Sequence, residues 1–98
     1  MLMIREVMYC KPGKVKPMVE KFLQMSKLME KNGMGRMRVL TDVSGERYWT
    51  IIAEFDVESL DAFMAMNNSP AMKEFEPIMK DYHELVDHGR REIYTIEG

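Results

Sequence analysis

The run Arg47-Tyr48-Trp49-Thr50-Ile51-Ile52-Ala53-Glu54-Phe55-Asp56 constrains the fold more than any other part of the chain. It holds the single tryptophan and the longest series of residues that favour a pleated, half-buried surface. Read as a central strand and counted by twos, it sets Trp49, Ile51, Ala53 and Phe55 on one face and Tyr48, Thr50, Ile52 and Glu54 on the other. The first face is wholly apolar and should pack against helices. The second mixes a phenol, a hydroxyl and a carboxylate with an aliphatic group, which suits a second sheet, a subunit interface or a ligand better than open water.

The remaining chain supplies what such a strand needs. Met3 to Cys10 alternates, with Met3, Arg5, Val7 and Tyr9 on one side and Ile4, Glu6, Met8 and Cys10 on the other, and Lys11-Pro12-Gly13-Lys14 turns it. Val15, Met18, Val19, Phe22, Met25 and Met29 recur at helical spacing, Pro17 is tolerated in the first turn, and Asn32-Gly33 stops the helix. Arg36 to Asp42 reads as a strand joined through Ser44-Gly45 to the central one as a hairpin. Asp56 is placed to cap a short helix carrying Leu60, Phe63 and Met64, ending near Asn67-Asn68. Ser69-Pro70 starts a second helical stretch from Met72 to Val86, kinked or restarted at Pro77 and ended by Gly89. Arg91 to Ile96 is the last strand.

The order strand, helix, strand, strand, helix, strand predicts an α+β chain of ferredoxin-like βαββαβ topology. It would form a four-stranded antiparallel sheet with both helices on one face, residues 1–98 forming a single domain. The other sheet face would stay bare, a larger apolar patch than a monomer usually exposes, so a partner or ligand should cover it.

Composition narrows the function classes. A formal charge of −2 gives no electrostatic reason to expect nucleic acid or an anionic membrane as partner. One cysteine, Cys10, excludes an internal disulfide framework and fits a reducing compartment. Charge at Arg5 and Glu6 comes too early for a signal-peptide core and no run approaches a membrane span, so a cytoplasmic location is expected. Twelve methionines in 98 residues are many, and they serve either to fill the core or to line a pocket or interface.

Taken together, Arg5-Glu6-Val7-Met8-Tyr9 before Lys11-Pro12-Gly13-Lys14, Trp49 to Asp56 leading into Glu58-Ser59-Leu60-Asp61-Ala62-Phe63, and Ser69-Pro70-Ala71 resemble the dimeric α+β barrel superfamily. The likeness is to its NIPSNAP-like and antibiotic-biosynthesis-monooxygenase-like group. That resemblance implies a homodimer paired through the open sheet faces around a small cavity. It implies chemistry that ranges from cofactor-independent oxygenation to none. The haem-degrading members carry a helix histidine soon after a tryptophan. Phe63 to Phe75 has neither, which sets haem aside, and no cofactor is expected.

The leading expectation is therefore a homodimer that binds a small apolar or aromatic molecule between its sheets, with oxygenation as its chemistry if it is an enzyme. Tyr9, Arg38, Tyr48, Trp49, Glu54 and Tyr94 are the candidate lining residues. The alternatives are a non-catalytic dimer with a side-chain-filled barrel and, last, an RNA-binding domain, for which the central strand lacks the glycine-aromatic signature. Arg5, Arg38, Glu54, Glu92 and Tyr94 could orient a ligand, or pair with one another across strands and subunits. Cys10 beside Lys11 and Lys14 could be an activated thiol or an inert buried one. His83 and Asp87, one turn apart, with His88 following, read as a solvated helix end, since they are too few ligands for a metal site.

Overall fold

The computed structural model describes all residues 1–98. Strands β1 (Leu2–Cys10), β2 (Arg38–Thr41), β3 (Thr50–Val57) and β4 (Val86–Thr95) form one antiparallel sheet in the order β2-β3-β1-β4. Helix α1 (Val15–Lys31) and the second crossover lie on one face of it. That crossover comprises α2 (Leu60–Asn67), a 3-10 turn (Pro70–Glu74), the single-turn α3 (Glu76–Met79) and a second 3-10 turn (Tyr82–Glu84). The core is one cluster in which Ile4 and Cys10 of β1 and Ile51, Ala53, Phe55 and Val57 of β3 meet Met18, Phe22 and Met29 of α1, with Phe63 and Phe75 from the crossover. No helix is long and apolar enough to cross a membrane.

Local chemistry explains the boundaries. α1 buries the stripe its spacing predicts and ends where Gly33 takes φ +69 and donates its N–H to the Glu30 carbonyl. Ser26 Oγ then donates to the Met37 carbonyl at 2.9 Å, tying the helix to the chain entering β2.

Five expectations are corrected, the fifth at Gly89. Trp49 does not begin the central strand: it sits at φ +62, its carbonyl accepts the Cys10 N–H at 2.8 Å, and β3 starts at Thr50. The link from β2 is a folded loop rather than a tight turn at Ser44-Gly45, because Asp42 Oδ1 accepts the Thr50 N–H and Thr50 Oγ1 donates to the Arg47 carbonyl. Asp56 stays in β3, and Ser59 caps α2 by accepting the Ala62 N–H at 3.1 Å. The helix expected from Met72 to Val86 is broken into short turns. Pro77 interrupts the pattern, no side chain caps any piece, and Asp81 at φ +66 redirects the chain.

Gly89 lies inside β4 rather than at a helix end, for a steric reason. A Cβ there would meet the Val7 carbonyl oxygen at 2.7 Å, just before the register shift between Tyr9 and Cys10. Gly89→Ala is expected to force β4 off β1 locally at a cost of about 1–3 kcal/mol, measured by urea denaturation. An unchanged midpoint would show that the strands part without cost.

Candidate functional site

The two sheet faces carry different chemistry. On the open face, alternation aligns Arg5, Val7 and Tyr9 of β1 with Ile52 and Glu54 of β3, Arg38 and Leu40 of β2, and Arg90, Glu92 and Tyr94 of β4. Register places Arg5 opposite both Glu54 and Glu92, and the side chains join. Arg5 Nε lies 2.7 Å from Glu54 Oε2, its Nη1 lies 3.3 Å from Glu92 Oε1, and Arg38 bonds the other Glu54 oxygen. Arg90 Nε donates to Glu92 at 2.6 Å and its Nη1 to the Tyr9 hydroxyl, while the Tyr94 hydroxyl donates to Glu92 at 3.0 Å. Arg5 also lies over the Tyr94 ring, and Arg47 over that of Tyr9.

Electrostatics follow the contacts. Burial pushes the Glu54 carboxyl up, but the hydrogen bonds and charges of Arg5 and Arg38 together outweigh it and hold it below the usual carboxylate range. The Arg90 hydrogen bond, with that of Tyr94, likewise lowers Glu92, and the Glu92 carboxylate raises Tyr94. Glu54 is one of two buried polar residues, the other being Thr50 on the same face.

Of the residues singled out from sequence, Tyr9, Arg38, Glu54 and Tyr94 share this face. The loop before β3 carries the other two away: Tyr48 is 87% and Trp49 44% exposed. Burial raises the Cys10 thiol, with Asp42 and Asp87 adding to it, so its position beside two lysines does not activate it. His83 stacks on Tyr82, whereas His88 belongs to β4, where Arg47 donates to its Nε2 at 2.9 Å. No three His, Cys, Asp or Glu side chains converge as a metal cluster.

The opposite face holds an apolar concavity that sequence reading left unassigned. Between sheet and helices lies a cavity of about 220 Å³. It is lined by Met8, Met25, Met29, Met34, Met37, Met66, Met72 and Met79, which are eight of the twelve methionines, and by all four phenylalanines, Phe22, Phe55, Phe63 and Phe75. Its polar contributors are Glu6, Asn67 and Arg91. Glu6 and Arg91 are register partners on the helix side of the sheet and form an ion pair, with the Arg91 guanidinium over the Phe63 ring at 5.0 Å. A signal for them was present: Glu6 is the one charged group on a β1 face otherwise made of Ile4, Met8 and Cys10.

No family model matches the sequence, and no curated protein does. Solved structures do match its fold. A protein of Arabidopsis thaliana superposes with a TM-score of 0.74 at 20% identity, over 100% of this chain and 97% of that one. An uncharacterized NIPSNAP-like domain protein from Burkholderia xenovorans gives 0.72 at 12%, over 99% and 85%. A candidate antibiotic biosynthesis monooxygenase from Nitrosomonas europaea gives 0.71 at 11%, over the full length of both. The chain thus has the ferredoxin-like α+β fold of the NIPSNAP-like and antibiotic-biosynthesis-monooxygenase-like proteins.

Proposed function

We propose that the chain binds one small, largely apolar or aromatic molecule per subunit in the methionine and phenylalanine cavity, and that two copies pair through the open sheet face. The observation that carries the ligand reading is the convergence of eight methionines and every phenylalanine on one 220 Å³ space. Thioethers on unbranched side chains adapt to a ligand's outline and make favourable contacts with rings. An apolar cavity of about 150 Å³ accommodates benzene, so this one suits a single substituted ring or a short chain. Pairing is supported by Leu40, Ile52 and Tyr94 standing among the ion pairs on a sheet face that no helix covers. The lone, buried Cys10 supports a reducing compartment such as the cytoplasm.

If the site turns a substrate over, oxygenation is the chemistry it suits, in keeping with the monooxygenase name of the Nitrosomonas neighbour, and no cofactor is part of the proposal. Such a reaction asks for a dry pocket and a donor where a substrate anion forms, and Arg91, held at the rim by its pairing with Glu6, is the cationic donor in the lining. A second reading, a non-catalytic dimer whose paired sheets enclose side chains alone, is favoured by the Arg38-Glu54-Arg5-Glu92-Arg90 chain that occupies the open face.

Calorimetric titration with toluene and other one-ring compounds tests the ligand reading. Ala53, on the cavity floor and 2% exposed, is the blocking position. Saturable binding to the wild type that weakens by about tenfold or more in Ala53→Met is expected, because the new side chain fills the space. Equal binding by both, or none by the wild type, would remove the cavity from the function.

A further inference from the structure

We infer that Lys21 is a positioning residue for the cavity: its ammonium clamps the broken crossover, residues 70–84, in place as the wall through which a ligand enters. This rests on the ligand reading for the cavity's having an occupant. Three observations converge on it. The crossover supplies Met72, Phe75 and Met79 to the lining, and Phe75 is its only buried residue. Its pieces are five, four and three residues long and uncapped by side chains, too short to hold their shape alone. Its backbone hydrogen bonds run within itself or to its immediate flanks, Ser69 and Leu85.

Two side-chain hydrogen bonds reach this stretch from the rest of the molecule, and both come from Lys21 on α1. Nζ donates to the Ile78 carbonyl at 2.9 Å and to the Lys80 carbonyl at 2.9 Å. These carbonyls sit at the C-terminal end of α3, where a cation is electrostatically favoured and where the last oxygens lack intrahelical partners. At the far end of the crossover the Lys11 N–H holds the Leu85 carbonyl, and Asp81 at φ +66 breaks the run between. The sheet and α1, by contrast, are closed by regular ladders. Opening therefore costs least along 70–84, where the two Lys21 bonds add to the packing of Phe75, Met72 and Met79 in resisting it.

The test compares Lys21→Met, which keeps the stem and removes the donors, with Lys21→Arg, which restores two donors. Toluene is the probe, its exchange rates are read by NMR line shapes, and amide hydrogen exchange is followed along the chain. In Lys21→Met, association and dissociation of toluene should both quicken by about tenfold, with little change in Kd, since two charge-assisted bonds that hold the wall are lost. Exchange should rise in residues 70–84 and not in β1 or β3, and Lys21→Arg should behave as the wild type. Unchanged toluene rates in Lys21→Met would overturn the entry role, and exchange that rises equally across the sheet would overturn the clamp. If toluene does not bind the wild type, the ligand reading fails by itself. The exchange arm then still decides the clamp: a rise confined to 70–84 supports it, and no rise refutes it.

Discussion

Phe22→Ala is expected to destabilise the chain by about 3–5 kcal/mol, the range for deleting a buried ring. For a domain of this size that corresponds to a fall in Tm of roughly 15 °C or more. Phe22 is 2% exposed, sits centrally on α1 and forms part of the cavity lining. The space it leaves therefore joins a void already present, and the surrounding methionines would have to move far to close it. The same enlargement should change ligand size. Two-ring compounds such as naphthalene are expected to bind Phe22→Ala more tightly than the wild type and to restore part of its lost Tm. A Tm loss with no gain of two-ring binding would mean that the lining collapses, and the cavity would then be a packing irregularity.

Glu54→Gln is the second large effect. The side chain of Glu54 is 7% exposed and both its oxygens are taken by arginines, Arg5 and Arg38. The amide keeps the shape but removes the charge, leaving two guanidinium groups on the face with weaker partners. A loss of about 2 kcal/mol is expected, below the full value for a buried pair because Arg38 is largely exposed. The face-pairing proposal adds a further consequence. Arg5, Arg38 and Arg90 already outnumber Glu54 and Glu92, and two copies face to face double any excess. Sedimentation equilibrium should show a dimer for the wild type at micromolar concentration and a shift toward protomers for Glu54→Gln, steepest at low salt. Lone wild-type protomers would leave the sheet face without its proposed cover.

The same carboxylate sets an acid limit. Its folded pKa lies below the ordinary value, so its contribution to stability is complete above the carboxylate range and is lost as pH falls through the folded pKa. Unfolding midpoints of the wild type should therefore decline on acidification below about pH 4, and those of Glu54→Gln should decline less steeply. Parallel curves would assign the acid sensitivity to other groups.

Period-two alternation was enough to group Arg5 with Val7 and Tyr9, and Glu54 with Thr50 and Ile52, but it took the strand register to bring the two groups onto one face. The stop of α1 was legible as well, since Gly33 fits a backbone that other residues resist. Trp49 misled because its β-forming side chain says nothing of a φ imposed from outside, by the Cys10 N–H on its carbonyl. The apolar spacing from Met72 to Val86 satisfied a helix and is equally satisfied by short turns that point Met72, Phe75 and Met79 inward. The cavity was not legible for that reason. A continuous helix would present its apolar residues as one stripe, whereas the broken crossover turns Met72, Phe75 and Met79 toward a space that other methionines, each readable singly as filler, also line.

The most direct test labels the methionine methyl groups with carbon-13 and titrates a one-ring ligand, toluene first, while the NMR spectrum is followed. Met8, Met25, Met29, Met34, Met37, Met66, Met72 and Met79 should shift together and saturate at one equivalent per chain, while Met1, Met3 and Met64, which lie off the cavity, stay in place. Shifts spread evenly over all these methyls, or none among the eight, would contradict a ligand site between the sheet and its helices.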